Sequence, residues 1–540
     1  MPGPTYDVVV LGTGAAGLVA ALAAHEHGAS VALFEKGDVV GGTTALSGGI
    51  VWIPNNPHAA AAGLADSRED ALVYLDSLSL GMIDPEMAET LVDTGPGVVQ
   101  WLEATTPLRF EVVTGFPDYH PERPGGKPAG GRSLDPGLFN YVELGDWADR
   151  VARTPRVPRL NLLESPLGGG SGTIDPAALE ERDRRDARGR GHALVGALLA
   201  ACLERGIEPV TGARATQLIR DDGRVTGVRF EPGAPIPEVH ASRAVILATG
   251  GFEWDAELVK TFLRGPMTSP TSIPTNTGDG LRMALAAGAA LGMMSEAWWV
   301  PTAEIPGEEL YGRPRARLIL RERTMPGSIM VNREGRRFAN EAANYNAFGG
   351  ALHQLDPARF DYANLPCWLI FDSEHLRRYG FVDTAPGAPA PSWVSAAPTL
   401  DELAETVGID AVGLVTTVER WNELVDKGHD DDFGRGDSAY DGWPGDQRYL
   451  GSPQATIGPL REPPFHAVEI HSGTLGTKGG ARTNPDAQVL DFDGRPIAGL
   501  YAAGNAMAAP TGMVYGGGGG TIGPAIVFGY RAGRHAATVI

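Results

Sequence analysis

The hexapeptide Gly-Thr-Gly-Ala-Ala-Gly at residues 12–17 decides the fold of this chain, because it has the pattern GxGxxG. A run of apolar, mostly β-branched residues (8–11) precedes it, and an Ala- and Leu-rich stretch (18–27) of helical composition follows. A second apolar run (31–35) then ends on the acid Glu35. This order predicts a strand, a tight turn, a helix and a second strand, which together form a nucleotide-binding βαβ unit.

Each glycine of the hexapeptide has its own physical role in such a unit. Gly12 allows the tight turn, Gly14 lets the backbone touch a pyrophosphate, and Gly17 lets the helix pack closely on the strand. The helix N-terminus presents free N–H groups and the positive end of its dipole to the phosphates. Glu35, at the end of the second strand, is expected to accept hydrogen bonds from ribose hydroxyls.

A second glycine-rich segment, GGTTALSGG at residues 41–49, favours FAD over NAD as the dinucleotide. FAD is the longer cofactor, and a second cradle soon after Glu35 suits a flavin that lies farther along the cleft. Further turns at 248–252 (ATGGF), 276–280 (NTGDG) and 500–505 (LYAAGN) indicate that both ends of the chain meet the cofactor. The predicted FAD contacts are Gly12, Gly14, Ala15, Ala16, Gly17, Glu35, Lys36, Gly41, Gly42, Thr43, Thr44, Ser47, Gly48, Gly49, Thr249, Gly250, Gly251, Asn276, Gly278, Asp279, Gly504, Asn505, Gly520 and Ile522.

Composition and charge disfavour several other classes of protein. The 540 residues carry a formal net charge of −21 at pH 7, which is unfavourable for binding nucleic acid or an anionic membrane. Two cysteines cannot build a disulfide framework, and scattered histidines without a CxxC or HExxH pattern predict no metal site. The apolar N-terminal run lacks a basic region before it, and no apolar stretch reaches the roughly 20 residues of a membrane span. We therefore expect a cytoplasmic protein with no transmembrane segment.

The rest of the sequence predicts an α/β chain with a second domain inserted into the first. Residues 60–104 show helical apolar spacing, and residues 105–175 are rich in Gly and Pro and predict long irregular loops. From about residue 305, several Trp and Tyr residues and the acidic run 430–432 mark a change of texture. Glycine-rich, buried-strand character returns near the C-terminus. We predict a Rossmann-like FAD-binding domain at residues 1–304 and 475–540, and an inserted α+β catalytic (capping) domain at residues 305–474.

The motifs follow a specific order along nearly the whole chain. After GxGxxG and Glu35 come GGTTALSGG, ATGGF, NTGDG, NEAANY (340–345), LGTKGG (475–480) and LYAAGN, and then a Tyr- and Gly-rich turn before GPAIVFGYRAG (523–533). This order resembles the fumarate-reductase/succinate-dehydrogenase flavoprotein superfamily. Within it, the chain most resembles the 3-ketosteroid Δ1-dehydrogenases, FAD enzymes that introduce a double bond next to a ring ketone. The resemblance implies a catalytic domain that caps the flavin, a small-molecule ketone substrate and a quinone-like or dye electron acceptor.

Four catalytic residues are implied by the resemblance, motif by motif. Tyr119, in FPDYHPE, is similar to the family's loop tyrosine over the flavin. Tyr345, which ends NEAANY, is similar to the tyrosine of the family's NESxPY, which acts as a base. Tyr515 and Gly519 are similar to the YPGxG turn that holds the ketone oxygen.

The chain departs from the family pattern at two places. Asn344 stands where the family usually has proline, which puts the pose of Tyr345 in question. Five glycines follow Tyr515, so the backbone donor can be Gly518 or Gly519 and the turn can be looser. Both differences lie at the substrate, so the substrate can differ from a steroid.

The reaction implied by the resemblance needs three groups. Removal of a proton beside a ketone creates an enolate, which carries negative charge on its oxygen. The hydroxyl of Tyr515 and the N–H of Gly519 are suited to stabilise this charge by hydrogen bonding. Tyr345 is the expected base, and because a free tyrosine has a pKa of about 10, it needs a neighbour such as Tyr119 that stabilises the phenolate or relays the proton. The hydride acceptor is the flavin. The positive end of the helix that begins near Pro524 is expected to stabilise the reduced ring.

One absence in the sequence bears on the substrate. Fumarate reductases hold a substrate carboxylate with a histidine in an H-T-x-G-G turn, whereas the matching residues 476–480 read GTKGG. His471 lies five residues before this turn and is expected to have a structural role. This difference favours a neutral ketone. Trp52, Trp298 and Trp299 are expected either to line an apolar pocket or to pack in the core.

Several functions remain open at this stage. The favoured function is dehydrogenation of a 3-ketosteroid. Alternatives are the same reaction on a smaller cyclic ketone such as cyclohexanone, a reductase of an enone or unsaturated acid, and a binding module that keeps the fold without the cofactor. The sequence identifies neither the physiological electron acceptor nor the oligomeric state.

Overall fold

The computed structural model describes residues 3–539 of the chain. The strands are β1 (Thr5–Leu11), β2 (Val31–Phe34), β3 (Val51–Trp52), β4 (Glu111–Thr114), β5 (Gly130–Asp135), β6 (Leu138–Asn140), β7 (Ala187–Gly189), β8 (Ala215–Asp221), β9 (Arg224–Phe230), β10 (Glu238–Leu247), β11 (Ser269–Pro270), β12 (Leu291–Gly292), β13 (Ala297–Leu310), β14 (Arg313–Leu318), β15 (Ser328–Asn332), β16 (Leu355–Asp356), β17 (Asp361–Tyr362), β18 (Cys367–Phe371), β19 (Ser395–Ala397), β20 (Phe465–Thr477), β21 (Gly480–Ala481), β22 (Gln488–Leu490) and β23 (Pro496–Ala502).

The helices alternate with these strands along most of the chain. They are α1 (Ala15–Glu26), α2 (Gly42–Leu46), α3 (Pro57–Ala61), α4 (Arg68–Leu78), α5 (Pro85–Thr105), α6 (Pro176–Arg184), α7 (Gly191–Glu204), α8 (Ala256–Phe262), α9 (Asp279–Ala286), α10 (Arg321–Thr324), α11 (Phe348–Leu352), α12 (Ser373–Tyr379), α13 (Leu400–Val407), α14 (Ala411–Lys427), α15 (Ala439–Gly442) and α16 (Ile522–Thr538). Within residues 3–539, none of them combines the length and apolar character that a bilayer span requires.

The first sheet confirms the predicted nucleotide-binding unit. Its strand order is β2-β1-β10-β23-β22, and the neighbours β2, β1, β10 and β23 run parallel. Val8, Val9 and Val10 of β1 are fully buried, because helices cover both faces of a parallel sheet. The antiparallel pair β8 and β9 extends the sheet from β10. The fold is therefore α/β, as the sequence predicts.

Glycines let the first and last helices of this layer pack closely. α1 and α16 lie against each other, and a Cβ on Gly529 would stand 2.5 Å from the carbonyl oxygen of Ala16. A Cβ on Gly533, one turn further along α16, would stand 2.1 Å from the carbonyl oxygen of Ala20. No side chain fits at these distances, so the backbones of the two helices are in direct contact.

The second sheet lies in the part of the chain that the sequence predicts as the inserted domain, and the predicted limits fall inside two of its strands. Its strand order is β14-β13-β20-β18-β15, with β11 and β19 paired to β20, and α13 packs on β19 and β20. The predicted limits, 305 and 474, fall inside β13 and β20, which pair from Ala297 opposite Thr477 to Thr302 opposite His471. A paired strand stays in one sheet along its length, so this layer begins before residue 305 and ends after residue 474.

Residues 60–175 are more ordered than the sequence predicts. The helical spacing in residues 60–104 corresponds to α4 and α5. The expected long loops of residues 105–175 include β4 and β5, which pair with β3 in a three-stranded sheet of order β3-β5-β4, the strand β6 and a 3-10 segment, Tyr141–Arg150. All six residues of β5 are buried, so their backbone groups need the partners that a sheet supplies.

The close contact of α1 and α16 leads to a stability prediction. Gly533→Ala forces two backbones apart, and we expect it to lower the free energy of unfolding by about 1–3 kcal/mol, the usual cost of overpacking. Gly97→Ala, inside α5, is the matched control, because its Cβ would meet no atom within 4 Å. Helical Ala is favoured over Gly, so the control is expected to gain about 0.5–1 kcal/mol. Chemical unfolding at a fixed FAD concentration measures both variants, and equal stabilities would contradict the packing argument.

Candidate active site

A cavity of about 440 Å³ connects the GxGxxG turn at residues 12–17, called the phosphate turn below, to the second sheet. Its lining includes residues at the C-terminal ends of β1 and β10, at the start of α16, and at positions 315–318 of β14. Two of the predicted features, the GxGxxG turn and the tyrosines, therefore open into one continuous space. Three-dimensional structure brings them together although they lie far apart along the chain.

The three glycines of the hexapeptide differ in what surrounds them. Gly12 has a φ of +105°, and its Cβ would stand 2.2 Å from the carbonyl oxygen of Ala248. A Cβ on Gly17 would stand 1.9 Å from the carbonyl oxygen of Gly12. By contrast, a Cβ on Gly14, which lines the cavity, would meet only Thr44 Oγ1 at 3.5 Å. Two of the glycines are thus required by the fold, and the middle one keeps the cavity free for a ligand.

Glu35 is already bound to the phosphate turn. Its Oε2 accepts hydrogen bonds from the hydroxyl of Thr13 at 2.6 Å and from the N–H of Thr13 at 3.2 Å, and its Oε1 accepts one from the N–H of Gly37 at 2.9 Å. Burial raises the pKa of the Glu35 carboxyl, and these hydrogen bonds oppose the rise. The carboxyl lines the cavity, where it remains available to a ribose.

Lys36 and Asp279, both predicted cofactor contacts, form an ion pair at 2.8 Å beside this carboxyl. Arg214 also pairs with Asp279 at 2.8 Å. These charges hold the pKa of Asp279 below its usual range despite its burial. This ion pair joins the end of the βαβ unit, at Lys36, to the NTGDG motif, which contains Asp279. The sequence did not predict the pair.

Most of the predicted cofactor contacts line the cavity, but five of the predicted glycines do not. Their neighbours explain the difference: each one supports a close contact between backbones or side chains instead. A Cβ on Gly251 would stand 2.2 Å from Thr477 Oγ1, and one on Gly520 would stand 2.8 Å from the ring of Tyr515. The five residues that the prediction placed at the cofactor and the structure places behind the lining are Gly17, Gly41, Gly251, Gly278 and Gly520.

Three predicted tyrosines converge at the other end of the cavity. The hydroxyl oxygens of Tyr119 and Tyr345 lie 2.6 Å apart, and the Tyr345 hydroxyl donates to that of Tyr515 at 3.2 Å. The ring centroids are 5.0–5.5 Å apart, and each residue is less than a tenth exposed. Burial raises the pKa of Tyr119 and of Tyr345 well above the ordinary value, and also raises that of Tyr515. The three hydroxyls form a connected chain of uncharged hydrogen-bonding groups.

The glycine turn after Tyr515 is held firmly, contrary to the expectation of a looser turn. The carbonyl oxygen of Gly518 accepts from Ser133 Oγ at 2.8 Å, and that of Gly519 accepts from the N–H of Trp52 at 3.2 Å. The carbonyl oxygen of Gly516 accepts from the Tyr74 hydroxyl at 2.7 Å. Each of these bonds attaches a backbone carbonyl of the five-glycine turn to a neighbouring segment.

Both candidate backbone donors of this turn line the cavity. Within residues 3–539, the N–H groups of Gly518 and Gly519 donate to no protein atom. Gly519 has a φ of +97°, and a Cβ there would stand 2.6 Å from the carbonyl oxygen of Ile50. Gly519 therefore combines a free donor with a conformation and an environment that require glycine.

Thr521 is a site residue that the sequence did not predict. It precedes the first turn of α16, yet its hydroxyl caps no helix N–H and donates instead to the Tyr515 hydroxyl at 3.2 Å. A residue in this position usually bonds the second or third N–H of the helix. Here Gly523 N–H bonds the carbonyl oxygen of Gly519, and Pro524 has no N–H. The proline thus releases the threonine hydroxyl to Tyr515.

Asn344, which replaces the family's proline, braces the loop of Tyr345. Its Oδ1 accepts from the N–H of Ala347 at 3.0 Å, and its Nδ2 lies 2.9 Å from His120 Nε2. The same Nδ2 lies 3.5 Å from the carbonyl oxygen of Tyr119. The substitution therefore links the Tyr345 loop to the Tyr119 loop.

Lys478 is a buried cation behind the Tyr515 turn that the sequence did not single out. Its Nζ donates to the carbonyl oxygens of Met513 and, at 3.3 Å, Val514, and lies 4.3 Å from the ring centre of Trp298. Burial lowers the pKa of Lys478 to about 7. No local pattern distinguishes this lysine from an exposed one, because only tertiary packing buries it.

The three tryptophans pack in the protein rather than along this cavity. Trp52 donates to Asp118 Oδ1 at 2.9 Å, and Trp299 packs on the ring of His353 at 4.5 Å. Trp298 packs on the ring of Tyr515 at 4.9 Å. Of the two expected placements, core packing is the one that the structure shows.

Comparison with known proteins gives consistent matches along the whole chain. A family model described as "FAD binding domain" matches residues 7–522. The chain is 42% identical to the 4-oxocyclohexanecarboxylate 2-dehydrogenase of Sinomonas cyclohexanicum, over 99% of this chain and 93% of that protein. It is 38% identical to the 3-oxosteroid 1-dehydrogenase of Mycobacterium tuberculosis, over 98% of each. The 3-ketosteroid delta1-dehydrogenase of Sterolibacterium denitrificans, solved in complex with 1,4-androstadiene-3,17-dione, superposes with a TM-score of 0.90 at 34% identity over 99% of each chain.

Gly14→Ala tests whether the cavity and the phosphate turn hold FAD. A Cβ at this position projects toward the ligand space and meets no backbone, so we expect the free energy of unfolding of the FAD-free protein to stay unchanged. The dissociation constant of FAD is expected to rise at least about tenfold, equivalent to about 1.4 kcal/mol. Flavin fluorescence titration measures the constant.

Gly12→Ala is the contrasting variant, because its Cβ collides with the backbone of Ala248. It is expected to destabilise the FAD-free protein itself. A Gly14→Ala protein with unchanged FAD affinity would contradict the placement of the cofactor.

Proposed function

The chain belongs to the FAD binding domain family, and from that membership we propose that it is an FAD-dependent oxidoreductase that introduces a C=C bond beside a ring ketone. One observation carries the proposal: three tyrosine hydroxyls and the free N–H of Gly519 line a single end of the cavity that begins at the phosphate turn. The dehydrogenases named among its relatives support it.

The residues of the cavity fit FAD. The open space beside Gly14, the carboxyl of Glu35 and the cradle at Thr43, Thr44 and Ser47 would hold the dinucleotide. When bound, FAD supplies the acceptor for the hydride that leaves the β-carbon of the substrate. The protein supplies the groups that bind the ketone and move its proton.

The ketone oxygen is proposed to bind between Tyr515 and Gly519. Each donor of this kind lowers the barrier by about 2.7–4 kcal/mol, because negative charge develops on the oxygen as the α-proton leaves. The hydroxyl of Thr521 donates to the oxygen of Tyr515, which makes the proton of Tyr515 a better donor to the ketone. The hydrogen bond from Tyr345 also ends on the oxygen of Tyr515, so the proton of Tyr515 is left for the ketone.

Tyr345 is proposed to take the proton from the α-carbon. Burial disfavours its phenolate form, since it raises the pKa well above 10. Tyr119, at 2.6 Å, can donate to the phenolate and spread its charge, so the two hydroxyls titrate as a pair. The C–H electrons at the α-carbon form the new double bond as the hydride leaves the β-carbon.

The proposed substrate is a ring ketone of either the 3-ketosteroid or the cyclohexanone type. The reductase alternative lacks a specific observation in its favour, since the matching turn has Gly476 in place of a carboxylate-binding histidine. We also propose a quinone-like electron acceptor, because the sequence has no second nucleotide motif. A cytoplasmic location fits Cys202 and Cys367, which are both free thiols.

Tyr345→Phe tests the base. The variant keeps the ring packing and removes only the hydroxyl, so we expect FAD to stay bound while turnover falls by about 10²–10⁴-fold, the usual contribution of a general base. Tyr449→Phe is the matched control, because Tyr449 is 45% exposed and lies outside the cavity lining. Anaerobic bleaching of the flavin by a ring ketone measures the rate, and a Tyr345→Phe rate within tenfold of wild type would refute the assignment.

The raised pKa of Tyr345 predicts how the rate depends on pH. The phenolate is the reactive form, and its fraction is small at pH 7 because the pKa lies well above 10. The rate is therefore expected to rise with pH from 7 to 10, by up to about tenfold per unit. Pre-steady-state flavin reduction across this range measures the profile. A wild-type profile that is flat or falls with pH would contradict the mechanism.

A further inference from the structure

Tyr440 is a fourth tyrosine of the same cluster, and the proposed reaction assigns it no role. It lies on α15, is 2% exposed, and lines the cavity together with Tyr119, Tyr345 and Tyr515. Its ring centroid is 4.9 Å from that of Tyr119. The hydroxyls of the other three tyrosines all make hydrogen bonds to protein groups. Among residues 3–539, the Tyr440 hydroxyl has no such partner.

The position of Tyr440 is fixed although its hydroxyl is free. Ser438 caps α15 by accepting from the N–H of Tyr440 at 3.3 Å. Asp441 accepts from Asn340 Nδ2 at 2.8 Å, which attaches α15 to the segment that carries Tyr345. A hydroxyl that is held in place and unpaired beside a cavity is suited to bind a polar atom of a ligand.

A buried positive charge lies behind Tyr440. The guanidinium of Arg323, on α10, is fully buried, and its Nε and Nη1 donate to the backbone carbonyls of Ile319 and Glu341. Within residues 3–539 no carboxylate pairs with it, and its Nη2 has no hydrogen-bond partner. Burial raises the pKa of Tyr440, and the charge of Arg323 opposes that rise. The neighbouring carboxylate of Asp441 raises the pKa of Tyr440, but Arg323 has the larger effect of the two charges, so the field at the hydroxyl favours a negative group in front of it.

The spacing of the cluster suits a compact ligand with two polar groups. Tyr119 contacts both Tyr440 and Tyr515, so the centroids of those two rings lie within about 10 Å of each other. A six-membered ring with a ketone at one carbon and a carboxylate at the opposite carbon can reach both hydroxyls. A four-ring steroid places its second polar group much farther from the reacting ketone.

We propose that Tyr440 is a specificity-determining residue that donates a hydrogen bond to a carboxylate of the substrate, which makes the preferred substrate a monocyclic keto acid. This inference rests on the proposed function, because Tyr515 must hold the ketone. A keto acid differs from the neutral ketone that the sequence favoured, because that expectation rested only on the absence of a histidine from residues 476–480. The carboxylate is bound by a different part of the chain.

Tyr440→Phe tests the inference, because it removes an oxygen that bonds no protein group. The substrates are 4-oxocyclohexanecarboxylate, the neutral 4-methylcyclohexanone and androst-4-ene-3,17-dione, with an artificial dye as electron acceptor. For the keto acid, kcat/KM is expected to fall by about 10- to 100-fold, mainly through KM, since a hydrogen bond to a charged group is lost. For 4-methylcyclohexanone it is expected to stay within about twofold of wild type.

A second measurement does not depend on turnover. Cyclohexanecarboxylate has the carboxylate but no ketone, and its binding constant can be read from the perturbed flavin spectrum. The constant is expected to weaken in Tyr440→Phe by a factor similar to the change in KM. Unchanged binding would overturn the inference, and an unchanged flavin absorbance and melting temperature would show that the variant is folded.

Arg315 supplies the rival site and its control. It lines the same cavity on β14, and its closest carboxylate is Glu308 at 3.5 Å. A selective loss on the keto acid in Arg315→Gln, with none in Tyr440→Phe, would overturn the role of Tyr440. So would equal losses on the acid and the neutral ketone, or a wild-type enzyme that oxidises only the steroid. If no ring ketone reduces the wild-type flavin, the proposed function itself fails.

Discussion

Direct contact between backbones is the constraint on which this structure depends. The N–H of Trp52 donates to the carbonyl oxygen of Gly519, and a Cβ on Gly523 would stand 2.2 Å from the carbonyl oxygen of Trp52. The turn that carries Tyr515 is therefore docked on β3 main chain to main chain. The same kind of contact joins α1 to α16. Main-chain contacts are stiffer than contacts between long side chains, so the phosphate turn and the Tyr515 turn hold a fixed relative position.

The two ends of the cavity differ in charge, and this difference separates their roles. Glu35, Lys36 and Asp279 line the dinucleotide end, and phenols and apolar side chains such as Leu318 and Leu475 line the other end. Two arginines of β14, Arg315 and Arg317, also line the cavity. Buried phenols stay neutral at rest because the cost of desolvating a phenolate raises their pKa values. In surroundings of low dielectric, hydrogen bonds to a developing negative charge are stronger than in water. The hydroxyls are thus neutral at rest, and their hydrogen bonds can stabilise the negative charge that develops when the substrate reacts.

The part of the chain that carries the second sheet contributes two tyrosines to the lining of the cavity. Tyr345 and Tyr440 lie in the chain between strands of the second sheet, Tyr119 lies between β4 and β5 of the three-stranded sheet, and Tyr515 lies in the turn before α16. Asn344 ties the Tyr345 loop to His120, next to Tyr119 in the chain. This bond and the bond between the hydroxyls of Tyr119 and Tyr345 join the two segments, so the geometry of these hydroxyls depends on how the segments pack together.

The sequence by itself determined the βαβ unit, because strand, turn, helix and acid lie within 35 residues and each has a local signature. The motif order also led to Tyr119, Tyr345, Tyr515 and Gly519, whose convergence the structure displays. Only the tertiary structure decided the rest. Tyr119 and Tyr345 are 226 residues apart and Tyr345 and Tyr515 are 170 apart, and the free hydroxyl of Tyr440 and the buried charge of Arg323 have no signature in the residues beside them. Their surroundings are assembled from distant segments, and burial, which sets both charge and hydrogen bonding, is a property of that assembly and not of the local chain.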